Sequence, residues 1–346
     1  MAFEDAIKFK GVTSLFKEGI SNTLLLGVQD LLSWSLLTAG AYQNISRDPP
    51  VSGVYGDELF YRYRLRPSDD PSYDFGQVWE GFRNDWVWES GVTYEGTSPI
   101  PVSGVWINGN YYKPDDSTFS HHIDFPNGRI VFDFPLNDTQ IVEANFTHRT
   151  VGVALGSERF IQELMFDSYD MKSLDEYLAH ASGDRTQLGE RRLQLPVIGI
   201  ELVKGQKSEP FQLGGARVVY NDILFHIFAD NEFDKNNIRD ALMSQEEKVF
   251  YLIDRDRLKS STRHNNPALK FPHQLDLNGS PVQSGLMYPS LVSPTGLPAR
   301  GFRERAARFE GLSSTDMPPV NSWLHRSTIR ATFSTILDGA TNIGQA

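Results

Sequence analysis

A histidine and an aspartate two positions apart, His122-Ile123-Asp124, are the residues of this chain best suited to holding a metal. In a strand, residues two apart share a face, so both side chains could grip one ion. A distant second histidine, His180 or His226, would complete the 2-His-1-carboxylate triad of a non-haem iron oxygenase. Three things stand against this reading. The pair directly precedes a tight Asn127-Gly128 turn, His180 falls in a helical stretch, and no basic anchor for an oxoacid cosubstrate stands out. Glu80 and Glu89 flank an aromatic cluster as a glycosidase acid and base would, but nothing in the sequence sets their separation. Asp69-Asp70 and Asp115-Asp116 lack the alternating ligands of a calcium loop and read as solvated turns. Gly214-Gly215 precedes a strand rather than a helix N-terminus, so it reads as a turn or bulge and not a phosphate cradle. The chain has no cysteine, which removes thiolate metal sites and cysteine nucleophiles. It also has no Gly-x-Ser-x-Gly elbow, Walker loop or dinucleotide fingerprint. The expectation is a protein that is not an enzyme, with no catalytic residue, cofactor or metal ligand assigned.

The aromatic cluster carries more weight. Trp79, Phe82, Trp86, Trp88 and Tyr94 fall close together, and aromatics make up 12% of the chain. Such a cluster serves as the core of a β domain, as a subunit interface or as a platform for sugar rings. Trp79, Trp86, Trp88, Trp106 and Trp323 are therefore the candidate interface residues.

The elements that hold these residues follow from periodicity. Phe16, Ile20, Leu24, Val28, Leu31 and Leu32 recur at helical spacing and predict a helix over 12–42, with Gly40 as its stop. Its wide apolar stripe calls for more than one packing surface. Asp48-Pro49-Pro50 ends this helical segment, residues 1–45. Residues 46–152 then read as an antiparallel β sandwich or open barrel. Asn108-Gly109 is placed for a two-residue hairpin, and Asn127-Gly128 for a slightly longer one. Residues 153–260 read as a compact α+β unit. Its parts are helical signal over 158–181, a strand over 194–203, a doubly buried strand over 217–228, and a helix over 235–250. Asn231 or Asp234 caps that helix, and Ile238, Leu242 and Val249 point inward. Residues 261–346 read as a proline-rich extended arm, little structured to 322, ending in a strand over 323–337. The fold class is α+β.

The formal charge of −11 disfavours a face built to hold nucleic-acid backbone. Two local arginine runs, Arg300, Arg303, Arg305, Arg308 and Arg185, Arg191, Arg192, read as solvated charges beside acidic neighbours. The start, Met1-Ala-Phe-Glu-Asp, lacks a basic region followed by an apolar run, so no secretory leader is expected. Leu24–Leu37 is too interrupted by polar residues to span a membrane.

Some phrases of the chain resemble virion structural proteins of tailed, myovirus-like bacteriophages. They are Gly76-Gln77-Val78-Trp79-Glu80-Gly81-Phe82-Arg83-Asn84-Asp85-Trp86-Val87-Trp88-Glu89-Ser90-Gly91-Val92, Val105-Trp106-Ile107-Asn108-Gly109, the stretch His121 to Asp133, and Pro210-Phe211-Gln212-Leu213-Gly214-Gly215. The resemblance leans towards the neck, where head–tail connector, head-closure and tail-terminator rings sit. It implies a virion subunit, assembled in the host cytoplasm, that forms a homo-oligomeric ring. The implied partners are copies of itself and neighbouring neck, portal-side or tail proteins, with genomic DNA passing through without specific binding and no membrane contact. It implies no cofactor and no catalytic residue. A baseplate, fibre-attachment or carbohydrate-recognising receptor-binding protein has a similar vocabulary and is the alternative.

Overall fold

The computed structural model describes residues 19–47, 62–89, 91–137, 139–165, 186–188, 191–211, 216–253, 303–321 and 324–337. Strand outweighs helix throughout them. Among the described residues there are three helices: α1 (Ile20–Thr38), α2 (Arg159–Met165) and α3 (Glu232–Met243). The first ten strands are β1 (Tyr42–Ile45), β2 (Arg66–Pro67), β3 (Val78–Glu80), β4 (Val105–Ile107), β5 (Asn110–Tyr112), β6 (His121–Asp124), β7 (Arg129–Phe132), β8 (Val142–Glu143), β9 (Phe146–Arg149) and β10 (Gly152–Leu155). Then follow β11 (Thr186–Leu188), β12 (Arg191–Leu193), β13 (Val197–Phe211), β14 (Ala216–Ala229), β15 (Val249–Ile253), β16 (Arg303–Asn321) and β17 (Leu324–Leu337).

Helix α1 stops where its sequence says it should. Gly40 adopts φ +86°, a left-handed conformation that costs glycine little. Its N–H bonds the Leu37 carbonyl at 3.0 Å while the Ala41 N–H reaches back to Leu36 at 2.9 Å. This is the paired closure of a Schellman motif. The wide stripe is used on two sides. Leu24, Val28 and Leu31 lie in the main core, and Trp34 meets the edge of Trp88 at 6.1 Å between ring centres.

The larger sheet has six strands in the order β10-β13-β14-β17-β16-β15, parallel only between β10 and β13. Its two outermost strands, β10 and β15, both touch α1. The sheet therefore curls around that helix, with Gly27 facing Leu252 so closely that a Cβ would lie 2.6 Å from its Cδ2. Helix α3 covers β14, β17 and β16, and α2 packs Ile161 and Leu164 against Val197 and Phe228. Only the second half of β14, Phe225–Ala229, is buried on both faces; the first half alternates between buried and partly exposed residues, which corrects the double burial expected over 217–228.

Residues 62–149 carry short antiparallel sheets: β2-β3-β7-β6, β5-β4-β8, and β9 paired with β1. Asn108 and Gly109 have φ of 51° and 84°, the two left-handed centres of the predicted tight turn. The second hairpin is longer, with four residues between β6 and β7 and Gly128 at φ 61°. One buried apolar cluster runs from Leu24 through these sheets to Phe333.

Three further expectations need correction. Helix α3 is shorter than 235–250: Glu247 at φ 68° turns the chain, and Val249 is a β15 residue 57% exposed rather than an inward helical one. The capping itself is as read, with the Asn231 side chain accepting from the Asp234 N–H at 2.8 Å. No unit ends at 260, because β16 and β17 complete the same sheet as β13 and β14, with β17 between β14 and β16. Finally, 303–321 is a paired strand instead of a loosely structured arm. Pro318 and Pro319 mislead there: they stand near the hairpin end, where fewer ladder bonds are needed. Residues 261–302, 166–181 and Trp323 lie outside the described residues.

Candidate functional site

Among the described residues the metal triad is not assembled. On β6, the Asp124 carboxylate accepts from Arg129 Nε and Asn127 Nδ2, each at 2.8 Å, while His122 is exposed. Arg129 also reaches Asp70 at 2.8 Å and lies 5.3 Å from the Tyr73 ring centre. His226 sits in the larger sheet, where Nε2 meets Glu201 at 3.0 Å and Nδ1 meets the Thr328 hydroxyl at 3.4 Å. His180 lies outside the described residues. Among the described residues no three metal-ligating side chains converge. Glu80 accepts from the Ser68 hydroxyl, and Glu89 is buried against Arg149, so the two carboxylates answer to different partners.

The tryptophans sort by depth. Trp79, Trp86 and Trp88 are 2%, 0% and 8% exposed, which corrects their assignment to a subunit interface. Trp79 donates to the Gly76 carbonyl at 2.8 Å and Trp86 to that of Arg83 at 2.9 Å, so even the indole N–H groups are satisfied inside. Trp86 stacks on Phe146 at 4.5 Å between ring centres. Trp106 differs: it is half-buried on β4, 4.9 Å from the half-exposed Tyr111 ring and 5.7 Å from the Arg47 guanidinium.

The densest polar chemistry belongs to β9, which sequence reasoning passed over. All four of its residues are buried. Alternation sends Phe146 and His148 to one side and Thr147 and Arg149 to the other. Arg149 donates to the carboxylate of Glu89, lies 3.4 Å from Asp85 and donates to the Ser33 carbonyl of α1 at 3.0 Å. Its own N–H bonds the carbonyl of Asp85, which stands at φ 54° to present it. Thr147 accepts from the Ile100 N–H at 2.6 Å and donates to Asn44 on β1 at 2.5 Å. Burial pushes the Glu89 carboxyl above its usual range, although Arg149 opposes the shift. His148 is pushed down to about 4, first by burial and further by Arg83 and Arg62. A short strand reading Phe-Thr-His-Arg carries no apolar alternation, so the available signal was only its lone buried-type residue, Phe146.

The remaining feature is main-chain. Strand β10 pairs with only residues 197–200 of β13, and β15 with only 303–308 of β16. Among the described residues, the outer edges of 201–211 and 311–321 therefore carry no strand. The described members of the arginine run expected at 300–308 lie on the part of β16 paired with β15 and not on the open stretch, with Arg308 3.4 Å from Glu247. Arg191 and Arg192 lie on β12.

No family model matches this chain, and no curated protein matches it either.

Proposed function

We propose that this chain is a structural subunit of a tailed-bacteriophage virion that assembles with copies of itself into a ring of the neck joining head and tail. The observation that carries the ring is that, among the described residues, each of the two flanks of one sheet has a stretch of edge with no strand beside it. Open edges are templates for strand addition. Strand β13 runs parallel to β17 and opposite to β16, so a copy rotated about a ring axis would bring β16 alongside its neighbour's β13 in antiparallel sense. Such a joint is heterologous and closes when the rotation closes.

The edges are short of ideal. The register shift between Leu202 and Gln206, Pro210, and the shift between Phe309 and Gly311 followed by Pro318 and Pro319 confine pairing to a few residues. These devices discourage indiscriminate sheet growth. A weak joint repeated around a closed ring still holds, because each subunit is gripped twice. The neck address rests on the phage-like phrases at 76–92, 105–109, 121–133 and 210–215. The carbohydrate-recognising alternative loses Trp79, Trp86 and Trp88 to the core and keeps only Trp106 with Tyr111.

Negative-stain imaging of the purified chain, with light scattering across micromolar concentrations, tests the proposal. Rings of one size are expected. A protein that stays monomeric throughout and never co-purifies with virions overturns it.

A further inference from the structure

We propose that the aromatic β unit, residues 62–149, is acid-labile and opens before the larger sheet does, kept folded by His148 of β9 and His121 of β6 in their neutral forms. The two rings are placed alike. Nδ1 of His148 lies 3.0 Å from the Arg149 carbonyl, and Nδ1 of His121 lies 2.7 Å from the Phe119 carbonyl. A carbonyl can only accept, so Nδ1 carries the proton and Nε2 keeps a lone pair. Both Nε2 atoms are buried with no hydrogen-bond partner among the described residues. A bare lone pair is tolerable there, whereas an imidazolium would bury an N–H and a charge without an acceptor.

The surroundings sharpen this. The His148 ring stands edge-on to Phe82 at 5.3 Å. The side-chain charges that act on it are Arg62 and Arg83, both cations. Asp85 and Glu89 are engaged with Arg149 on the opposite side of the strand. His121 lies 5.3 Å from Phe132 and feels His122, which disfavours its charge, and Asp116 and Asp133, which favour it. Burial dominates, holding His121 below and His148 well below the usual histidine range. In the larger sheet His226 is placed differently, with its Nε2 3.0 Å from the Glu201 carboxylate. Glu89 works the other way. Its carboxyl is raised by burial, so taking up a proton relieves a cost and offsets part of the histidine effect.

Between about pH 6.5 and 4, each unit of acidification raises the open-to-closed ratio up to about tenfold through His148, and His121 acts in the same direction. Hydrogen-exchange mass spectrometry of the full chain at pH 7 and pH 5, corrected for intrinsic exchange, reads this directly. Segments 76–89 and 142–149 are expected to lose about thirtyfold in protection, while β14 and β17 keep theirs. His148→Gln, and His148→Phe should the first variant fold poorly, are expected to abolish most of that difference. Equal loss in both regions, no loss in either, or an unchanged acid response in the variants overturns the proposal. So does an NMR titration of the wild-type His148 ring that places it at an ordinary histidine value. The outcome does not depend on whether the chain forms rings.

Discussion

Arg149 joins three parts of the chain through one guanidinium: the carboxylate of Glu89, the nearby Asp85 and the Ser33 carbonyl of α1. A planar fork with five donors can do this, and an ammonium cannot. Removing it would strand a buried carboxylate. Arg149→Leu is expected to cost about 3–5 kcal/mol in urea denaturation, and Arg149→Lys to recover only a minor part. Because the partners share one network, Glu89→Gln combined with Arg149→Leu should cost less than the two single losses added together. A double variant that costs their full sum would show that the contact is not coupled. The sequence named Glu89 only as half of a candidate acid–base pair and did not name Arg149. Nothing local tells that positions 60 residues apart will meet.

At the scale of elements, two hairpin glycines make different demands. Gly109 has φ +84° with open space where a Cβ would point. Gly109→Ala then carries only backbone strain, about 1 kcal/mol. Gly128 has φ +61°, and a Cβ there would lie 2.4 Å from the Arg83 carbonyl oxygen and 2.6 Å from the Asn84 Cα. Main chain cannot yield as a flexible side chain does, so Gly128→Ala is expected to lose about 3 kcal/mol. Thermal denaturation of the two variants side by side checks the ranking, and equal losses would refute it. Asn231→Ala removes the α3 cap and should cost about 1 kcal/mol. Both turns and this cap were legible from local chemistry, since Asn-Gly and a capping Asn act within a few residues. The end of α3 was not legible. Leu242 and Val249 keep helical spacing, but the chain turns at Glu247 to reach Phe309 of β16, and that partner is remote in sequence.

For the whole molecule, acid should weaken the fold from the side of the β unit. His148 has a folded-state pKa of about 4 against 6.5 when exposed, so below 6.5 the unfolded chain binds a proton that the native state refuses. Its contribution is therefore complete above about 6.5 and lost as pH falls towards 4, amounting to about 3 kcal/mol. His121 adds to this in the same direction, and Glu89 subtracts from it. Urea midpoints across pH 4–7 should fall with acid, and His148→Phe should flatten the curve. A wild-type curve flat over that range would contradict the burial of a neutral ring.

By itself, the sequence determined the local architecture: the stop of α1 at Gly40, the Asn108-Gly109 turn and the capped start of α3. These follow from backbone sterics, capping and periodicity, which act over a few neighbouring residues. Tertiary structure alone decided what lies far apart in the chain. It placed β17 inside the sheet begun by β13, chose the core for Trp79, Trp86 and Trp88 from the three roles the sequence left open, and made the unremarked strand Phe146-Thr147-His148-Arg149 the densest polar junction among the described residues. Burial and long-range pairing are properties of the assembled core, and no window of sequence contains them.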